Sequence, residues 1–218
     1  MLTAVLKKAI MAVTGILLFG WIFAHMFGNL KIFFGRESFN HYAEFLRVMG
    51  SPLIPPGGLL WLSRFVLLSA VGLHIWAATS LTLQNRRARP IDYREIRGVE
   101  LDYAARTMRV SGYLLAVYVV YHLMHLTFGS VHAAFDPTDP YSNVVKGFQA
   151  LPVAAVYIFA NSLLGLHLYH GLWSLFQSLG WSHPSYNPWR RRFAATFAIG
   201  VSLGFISVPL GVLAGIVS

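Results

Sequence analysis

The sequence predicts an all-α membrane protein, a bundle of five transmembrane helices. Three observations predict it. Hydrophobic residues fill 56% of the 218 positions and charged residues only 11%. Mean hydropathy is +0.57. The apolar residues gather into five long runs, each close to the roughly 20 residues that cross a bilayer. A soluble domain of this length needs far more charge on its surface. Five spans and their loops use most of the chain, so 1–218 reads as a single transmembrane domain.

The first helix is expected at about 9–34. Lys7 and Lys8 precede it as they precede the apolar core of a signal peptide. The run is long, lacks a clear small-residue cleavage site and contains His25, so it reads as a retained helix. A polar stretch with Arg36, Glu37, His41, Glu44 and Arg47 follows, and then Ser51-Pro52 and Pro55-Pro56-Gly57-Gly58. That stretch suits a short interfacial helix stopped by the prolines. The second helix is expected at about 59–83. An arginine-rich loop follows it, with Arg86, Arg87, Arg89, Arg94, Arg97, Arg106 and Arg109. The third helix is expected at about 110–133. Asp136-Pro137-Thr138-Asp139-Pro140 then reads as an acidic, turn-rich loop. The fourth helix is expected at about 152–179. After Arg190-Arg191-Arg192 the fifth is expected at about 193–217. No internal repeat or low-complexity tract stands out.

The net charge of +9 does not mark a nucleic-acid binder. The basic residues cluster at helix ends, where they decide topology. They favour the N-terminus, the second loop and the fourth loop. The N-terminus is therefore expected in the cytoplasm and the C-terminus outside. There is no cysteine, which excludes disulfides, thiolate zinc sites and cysteine-ligated clusters within this chain.

Four of the five runs carry histidine deep inside: His25, His74, His122 with His125, and His167 with His170. Ionisable groups at bilayer depth are rare and usually functional. One such histidine is as readily a packing residue; one on each of four helices is harder to explain that way. Paired imidazoles from facing helices are what axial coordination of haem iron needs. No Asp or Glu lies inside any run. That disfavours a carboxylate di-iron site and a proton relay that pairs histidine with acids. Along a helix rising about 1.5 Å per residue, His25 lies roughly 25 Å from the cytoplasmic edge and His74 roughly 18 Å. His25 therefore belongs to an outer layer and His74 to an inner one. His167 suits His74, and the third helix must supply the partner of His25. Depth alone slightly favours His125 over His122.

Glycines flank these positions, namely Gly20, Gly28, Gly72, Gly165 and Gly171, and admit a flat macrocycle or a neighbouring helix. Gly200-x-x-x-Gly204 and Gly211-x-x-x-Gly215 on the fifth helix suggest a close helix contact, within the chain or with another copy. Arg64 and Lys31 could pair with haem propionates or snorkel to the interface.

Three stretches together resemble a known family: His25-Met-Phe-Gly-Asn with Arg36-Glu-Ser-Phe39-Asn40; Arg109-Val-Ser-Gly112 with His122-Leu-Met-His-Leu-Thr127; and His167-Leu-Tyr-His-Gly171-Leu-Trp-Ser174 closed by Gln177-Ser-Leu-Gly180. The pattern is similar to the five-helix, two-haem cytochrome b membrane anchor of succinate:quinone oxidoreductases and fumarate reductases. The resemblance implies axial ligands His25, His74, His122 and His167, with His25 paired to His122 and His74 to His167. His125, His170 and Ser174 would then belong to the haem surroundings. Ser178 stands where some members carry a lysine for an inner-haem propionate, so another group must serve it here. Arg47 stands where some use an acid in quinone chemistry; His41 and Glu44 are the candidates for that site. The resemblance further implies two haem b groups, menaquinone, an iron–sulfur subunit and an FAD flavoprotein subunit that oxidises succinate in the tricarboxylic acid cycle. The setting implied is a bacterial plasma membrane, with no dicarboxylate site in this chain. A fumarate reductase running in reverse, another bis-histidine cytochrome and a haem-free transporter are the competing readings.

Overall fold

The computed structural model describes residues 3–88, 99–181 and 183–218, with the backbone alone for 99–106. The described residues are helical, without strands, and five helices are long and apolar enough to cross a membrane. The chain is an all-α, multi-pass membrane protein. Arg89, Arg94 and Arg97 lie outside the described residues, as does the side chain of Arg106.

Helix α1 (Ala4–Leu30) starts with Thr3, whose Oγ1 accepts from the Leu6 N–H at 3.3 Å, and ends in a 3-10 turn, Lys31–Phe34. Gly35, at φ +92°, turns the chain into the short helix α2 (Arg36–Val48). Helix α3 covers Gly58–Ala88 and α4 covers Val99–His122. Helix α4 runs on into a π turn, Leu123–Thr127. The short helix α5 (Pro140–Gln149), α6 (Leu151–Ser178) and α7 (Asn187–Leu213) complete the chain.

Several ends differ from the sequence expectation. Helices α1, α3 and α7 extend through polar residues such as Lys7, Gln84 and Arg190, because a helix continues once its polar face has left the hydrocarbon. Lys7 Nζ donates to Gln84 Oε1 at 3.3 Å, tying the ends of α1 and α3. The third span stops at Thr127 rather than at residue 133. The segment read as an acidic loop holds α5, with Asp139 as N-cap and Pro140 in its first turn, a common helix-start pattern.

Helix α1 lies along α3, and α4 along α6. Buried alanines, among them Ala12, Ala70 and Ala77 on α1 and α3, let these backbones approach closely. The two pairs meet mainly through α1 and α6; α4 reaches α3 at Thr79 Oγ1 and Tyr113 Oη, 3.1 Å apart, and α1 at the rings of His25 and His122. Elsewhere a slot separates the pairs. Helix α7 fills the groove behind α1 and α6. A side chain at Gly204 would collide with Met26 of α1, and a Cβ at Gly211 would lie 2.8 Å from Phe33. A Cβ at Gly165 of α6 would lie 3.0 Å from Ser202. Of the two spaced-glycine motifs, Gly204 and Gly211 thus serve a contact within the chain.

At the end away from the N-terminus, α5 turns back under the bundle. Tyr141, Val144, Val145 and Phe148 are buried with Ile32, Tyr157, Val208 and Val212. Asp139 latches this helix to α2: its carboxylate accepts from Ser142 N–H at 3.1 Å, Asn40 Nδ2 at 2.8 Å and Arg36 Nη1 at 2.9 Å. Asn40 Oδ1 in turn accepts from the Tyr141 N–H at 2.9 Å. Burial opposes ionisation of Asp139, but the hydrogen bonds from Ser142 and Asn40 and the Arg36 charge outweigh it and hold its pKa down at about 2.

Asp139→Ala removes the cap and the latch together and is expected to destabilise α5 by about 1 kcal/mol, measured as faster amide exchange in α2 and α5. Because the pKa is depressed, the latch is at full strength above the ordinary carboxylate range and is lost as pH falls. Amide protection of α5 should stay level from pH 7 to about 4 and drop as pH approaches the Asp139 pKa of about 2.

A candidate haem site between the helix pairs

The slot is lined by imidazoles from both sides. His25 (α1) and His122 (α4) face each other with ring centroids 5.9 Å apart and planes at 81°. Two imidazoles on opposite sides of one metal, each with a metal–nitrogen bond of about 2 Å, place their ring centroids roughly 6 Å apart. His74 (α3) and His167 (α6) are the other two imidazoles, one from each side of the slot, near enough for their charges to interact. Each pair takes one residue from each side of the slot. All four rings keep partial exposure despite lying within membrane-spanning helices. Among the described residues no group of three or more metal-ligating side chains gathers.

Hydroxyls orient the second pair. Thr14 Oγ1 lies 3.1 Å from His74 Nδ1, and Ser111 Oγ lies 3.2 Å from His167 Nδ1. The next residue in each case is glycine: a Cβ at Gly15 would sit 3.6 Å from His74 Cε1, and one at Gly112 would sit 3.4 Å from His167 Cε1. Each ring therefore lies against the neighbouring helix at a distance where a Cβ would make ordinary contact. Sequence reasoning missed Thr14 and Ser111. The signal was present as a repeat: Thr14-Gly15 and Ser111-Gly112 each precede a histidine, His25 and His122, by the same spacing of nine intervening residues. Gly72-Leu73-His74 and Gly165-Leu166-His167 recur likewise. The expectation of no internal repeat is therefore corrected: α1 with α3 and α4 with α6 are two similarly built halves.

Eleven residues separate Thr14 from His25 and Ser111 from His122. At about 100° per residue both members fall on one face of their helix, about 16 Å apart. The imidazoles thus form two layers, that of His74 and His167 nearer the N-terminal end and that of His25 and His122 farther from it.

His125 behaves differently from His122. The π turn after His122, closed by the Phe128 N–H to the Leu123 carbonyl at 2.9 Å, rotates each residue less than an α turn does. His125 is thereby swung away from the slot and under α5. It is 2% exposed, stacks on Tyr121 at 6° and lies 4.8 Å from the His132 ring. Its Nδ1 is 3.0 Å from Tyr157 Oη, which also lies 3.3 Å from His122 Nδ1. Gly147 of α5 covers it, where a Cβ would come within 2.8 Å of the ring.

The remaining candidates divide. Lys31 Nζ sits over the Tyr42 ring at 5.4 Å, and the Arg64 guanidinium over Trp61 at 4.8 Å. His170 lies beside the Tyr169 ring, and Ser174 Oγ donates to the Gly171 carbonyl of its own helix at 3.1 Å. His41 is exposed in a cleft of about 620 Å³ with Lys31, Glu37, Tyr42 and Phe45. Glu44 lines an adjoining cleft of about 590 Å³ with His41 and Arg47. Among the flanking glycines, Gly28 is filled by the Tyr42 ring, whereas Gly171, one turn past His167, has open space before it. Arg190 is 1% exposed, bonded to the Trp181 carbonyl and to Asn187 Oδ1, and stacked over Phe176. Phe176 lies half a revolution round α6 from His167, so Arg190 does not take the propionate role left open at Ser178.

These features define a class: a multi-pass helical membrane protein with imidazoles at two levels of its bundle. Residues 103–206 match the succinate dehydrogenase/fumarate reductase transmembrane subunit family. The chain is therefore similar to the membrane anchors of that complex, as its histidine stretches imply. The matched segment includes Ser111, His122, Tyr157 and His167, while His25 and His74 precede it. No match was found among curated proteins or among solved structures.

Gly147→Val would drive a branched side chain into the His125 ring. It should cost about 1–3 kcal/mol of stability, visible as a lower thermal midpoint and as proteolytic cleavage between residues 128 and 150, whereas Gly171→Ala should leave the thermal midpoint unchanged.

Proposed function

We propose that this chain is the cytochrome b membrane anchor of a succinate dehydrogenase, carrying two b haems in its slot and delivering electrons to menaquinone. The observation that carries the reading is the pairing of imidazoles across the slot. His25 and His122 would hold one haem, and His74 and His167 the other. Haem, when bound, supplies one-electron transfer between an iron–sulfur partner and a quinone.

The chain's own residues perform the rest. The four histidines offer ring nitrogens from opposed helices, so that neither face of a bound macrocycle is left to water. The two layers, about 16 Å apart along α1 and α4, would divide the passage across the membrane into short steps. Lys7, Lys8, Arg86, Arg87, Arg191 and Arg192 gather at the end nearer His74, which suits docking of an acidic face on the iron–sulfur subunit. That subunit would receive its electrons from an FAD flavoprotein oxidising succinate. This assigns the basic end to the cytoplasm of a bacterial cell and the α5 end to the outside, following the charge bias of the loops.

Reduction of menaquinone to menaquinol takes two electrons and two protons. The cleft at the α1–α2 corner, on the side of the outer layer, would hold the quinone. There His41, Glu37 and, next to them, Glu44 are exposed groups able to exchange those protons with water. Lys31 is held at Tyr42 in the wall of that cleft, and Arg64 at Trp61 on α3. Both remain at the level of the outer layer, where either could meet a propionate.

A reduced-minus-oxidised optical spectrum of the purified complex tests the reading. A b-type band with about two haems per chain is expected; a preparation without the band overturns it. Replacing His25 or His122 with Ala should remove about half of the haem, whereas His125→Leu should retain both groups. Loss of a haem from the His125 variant would reassign the ligand.

A further inference from the structure

We infer that Thr14 and Ser111 are a matched pair of positioning residues that orient and tune both imidazoles of the layer nearer the N-terminus. The inference rests on the haem reading above and deepens it. Each hydroxyl has a single hydrogen, and in both cases a backbone carbonyl of its own helix takes it. Thr14 Oγ1 donates to the Ile10 carbonyl at 2.7 Å, with the Met11 carbonyl at 3.2 Å, and Ser111 Oγ donates to the Met108 carbonyl at 3.2 Å. With the hydroxyl hydrogens on those carbonyls, lone pairs face His74 and His167 and both contacts are donated by Nδ1–H. At His74 the Met11 carbonyl is a second acceptor. This fixes one tautomer for both rings, with the proton on Nδ1 and the lone pair on Nε2. It is the form in which Nε2 can bind a metal.

Both hydroxyls are buried, Thr14 at 7% and Ser111 at 4% exposure, so water does not compete for the contact. Thr14 and Ser111 occupy the same position in the two halves of the repeat, one residue before the glycine on which the imidazole rests. The far layer lacks this arrangement. His25 is flanked by the Trp21 and Phe205 rings, and His122 shares the Tyr157 hydroxyl with His125 at a longer 3.3 Å. The two layers thus differ in what stands at their imidazoles: a matched pair of aliphatic hydroxyls in one, aromatic rings and a shared phenol in the other.

A hydrogen bond accepted from Nδ1–H raises the electron density at Nε2 and makes the imidazole a more basic ligand. A more basic ligand favours the ferric over the ferrous state. Removing either hydroxyl should consequently raise the midpoint potential of one haem and leave the other where it was. Thr14 and Ser111 stand on different helices, but their histidines share one centre, so both variants must move the same haem.

The test is a redox titration of the purified complex, followed optically and by the low-spin ferric resonances, for Thr14→Val, Ser111→Ala, the double variant and the conservative exchanges Thr14→Ser and Ser111→Thr. Thr14→Val keeps the side-chain volume, and Ser111→Ala removes one atom. The expected result is an upward shift of one midpoint with each single variant, a larger shift of the same midpoint in the double variant, and near-normal values with the conservative exchanges. Unchanged potentials in haem-loaded variants overturn the inference and leave the cytochrome reading intact. So does a shift of different haems by the two variants, or an equal shift by Thr14→Ser. If Thr14→Val loses haem, Thr14→Ser decides: retention with a normal potential supports the hydroxyl role, and equal loss overturns it. A wild-type complex without haem overturns both readings together.

Discussion

The position of each imidazole depends on how α7 clamps α1 to α6. The two helix pairs meet across the slot along α1 and α6 and at a few side-chain contacts. Helix α7 braces them from behind. Gly204 and Gly211 accept Met26 and Phe33 from α1, and Ser202 lies against Gly165 while donating to the Asn161 carbonyl of α6 at 2.9 Å. Hydrocarbon gives no hydrophobic drive to such packing, so it relies on close van der Waals fit and on the few polar bonds available. The membrane-spanning helix without a histidine thus braces the helices that carry them.

The fold class was legible because composition and run length are direct consequences of bilayer thickness. The helix ends were less legible. Hydropathy marks where a segment leaves hydrocarbon, whereas Lys7, Gln84 and Arg190 show helices continuing into the polar zone. Helix α5 was hidden for the opposite reason. Asp139-Pro140 signals a turn and a helix start equally well, and its ten residues are too few for a clear periodicity. What buries it is a tertiary surface made by α6, α7 and the first-span corner, which no local window contains.

The intramembrane histidines could be counted in the sequence, and the rings of His25 and His122 lie 5.9 Å apart in the structure, whereas depth alone slightly favoured His125. The difference between His122 and His125 was not legible. On a regular helix they would share a broad face, and only the π turn and the Gly147 backbone separate them. Thr14 and Ser111 escaped notice because a lone hydroxyl in an apolar helix is normally satisfied by the carbonyl one turn back. Their second contact appears only when α3 and α6 are laid alongside. The same alignment of halves relates Tyr157 on α6 to Arg64 on α3, each ten residues before the histidine of its helix. One position in the repeat is thus used for a hydroxyl at the His122 ring in one half and for a cation at the level of His25 in the other.

The two-layer arrangement on α1 and α4 also bears on the protein's tolerance of its lipid environment. Each of these helices carries a contact in both layers, so the spacing is written in helical rise and not in the compliance of loops or side chains. A thicker or thinner bilayer is met by tilting the spans, at a modest cost per ångström of mismatch. Tilt carries both layers together and leaves their separation along the helix unchanged. The same rigidity makes the interval between Gly15 and His25 intolerant of length change. One inserted residue would rotate His25 by about 100° away from the face that Thr14 occupies, and no adjustment of the membrane could restore it.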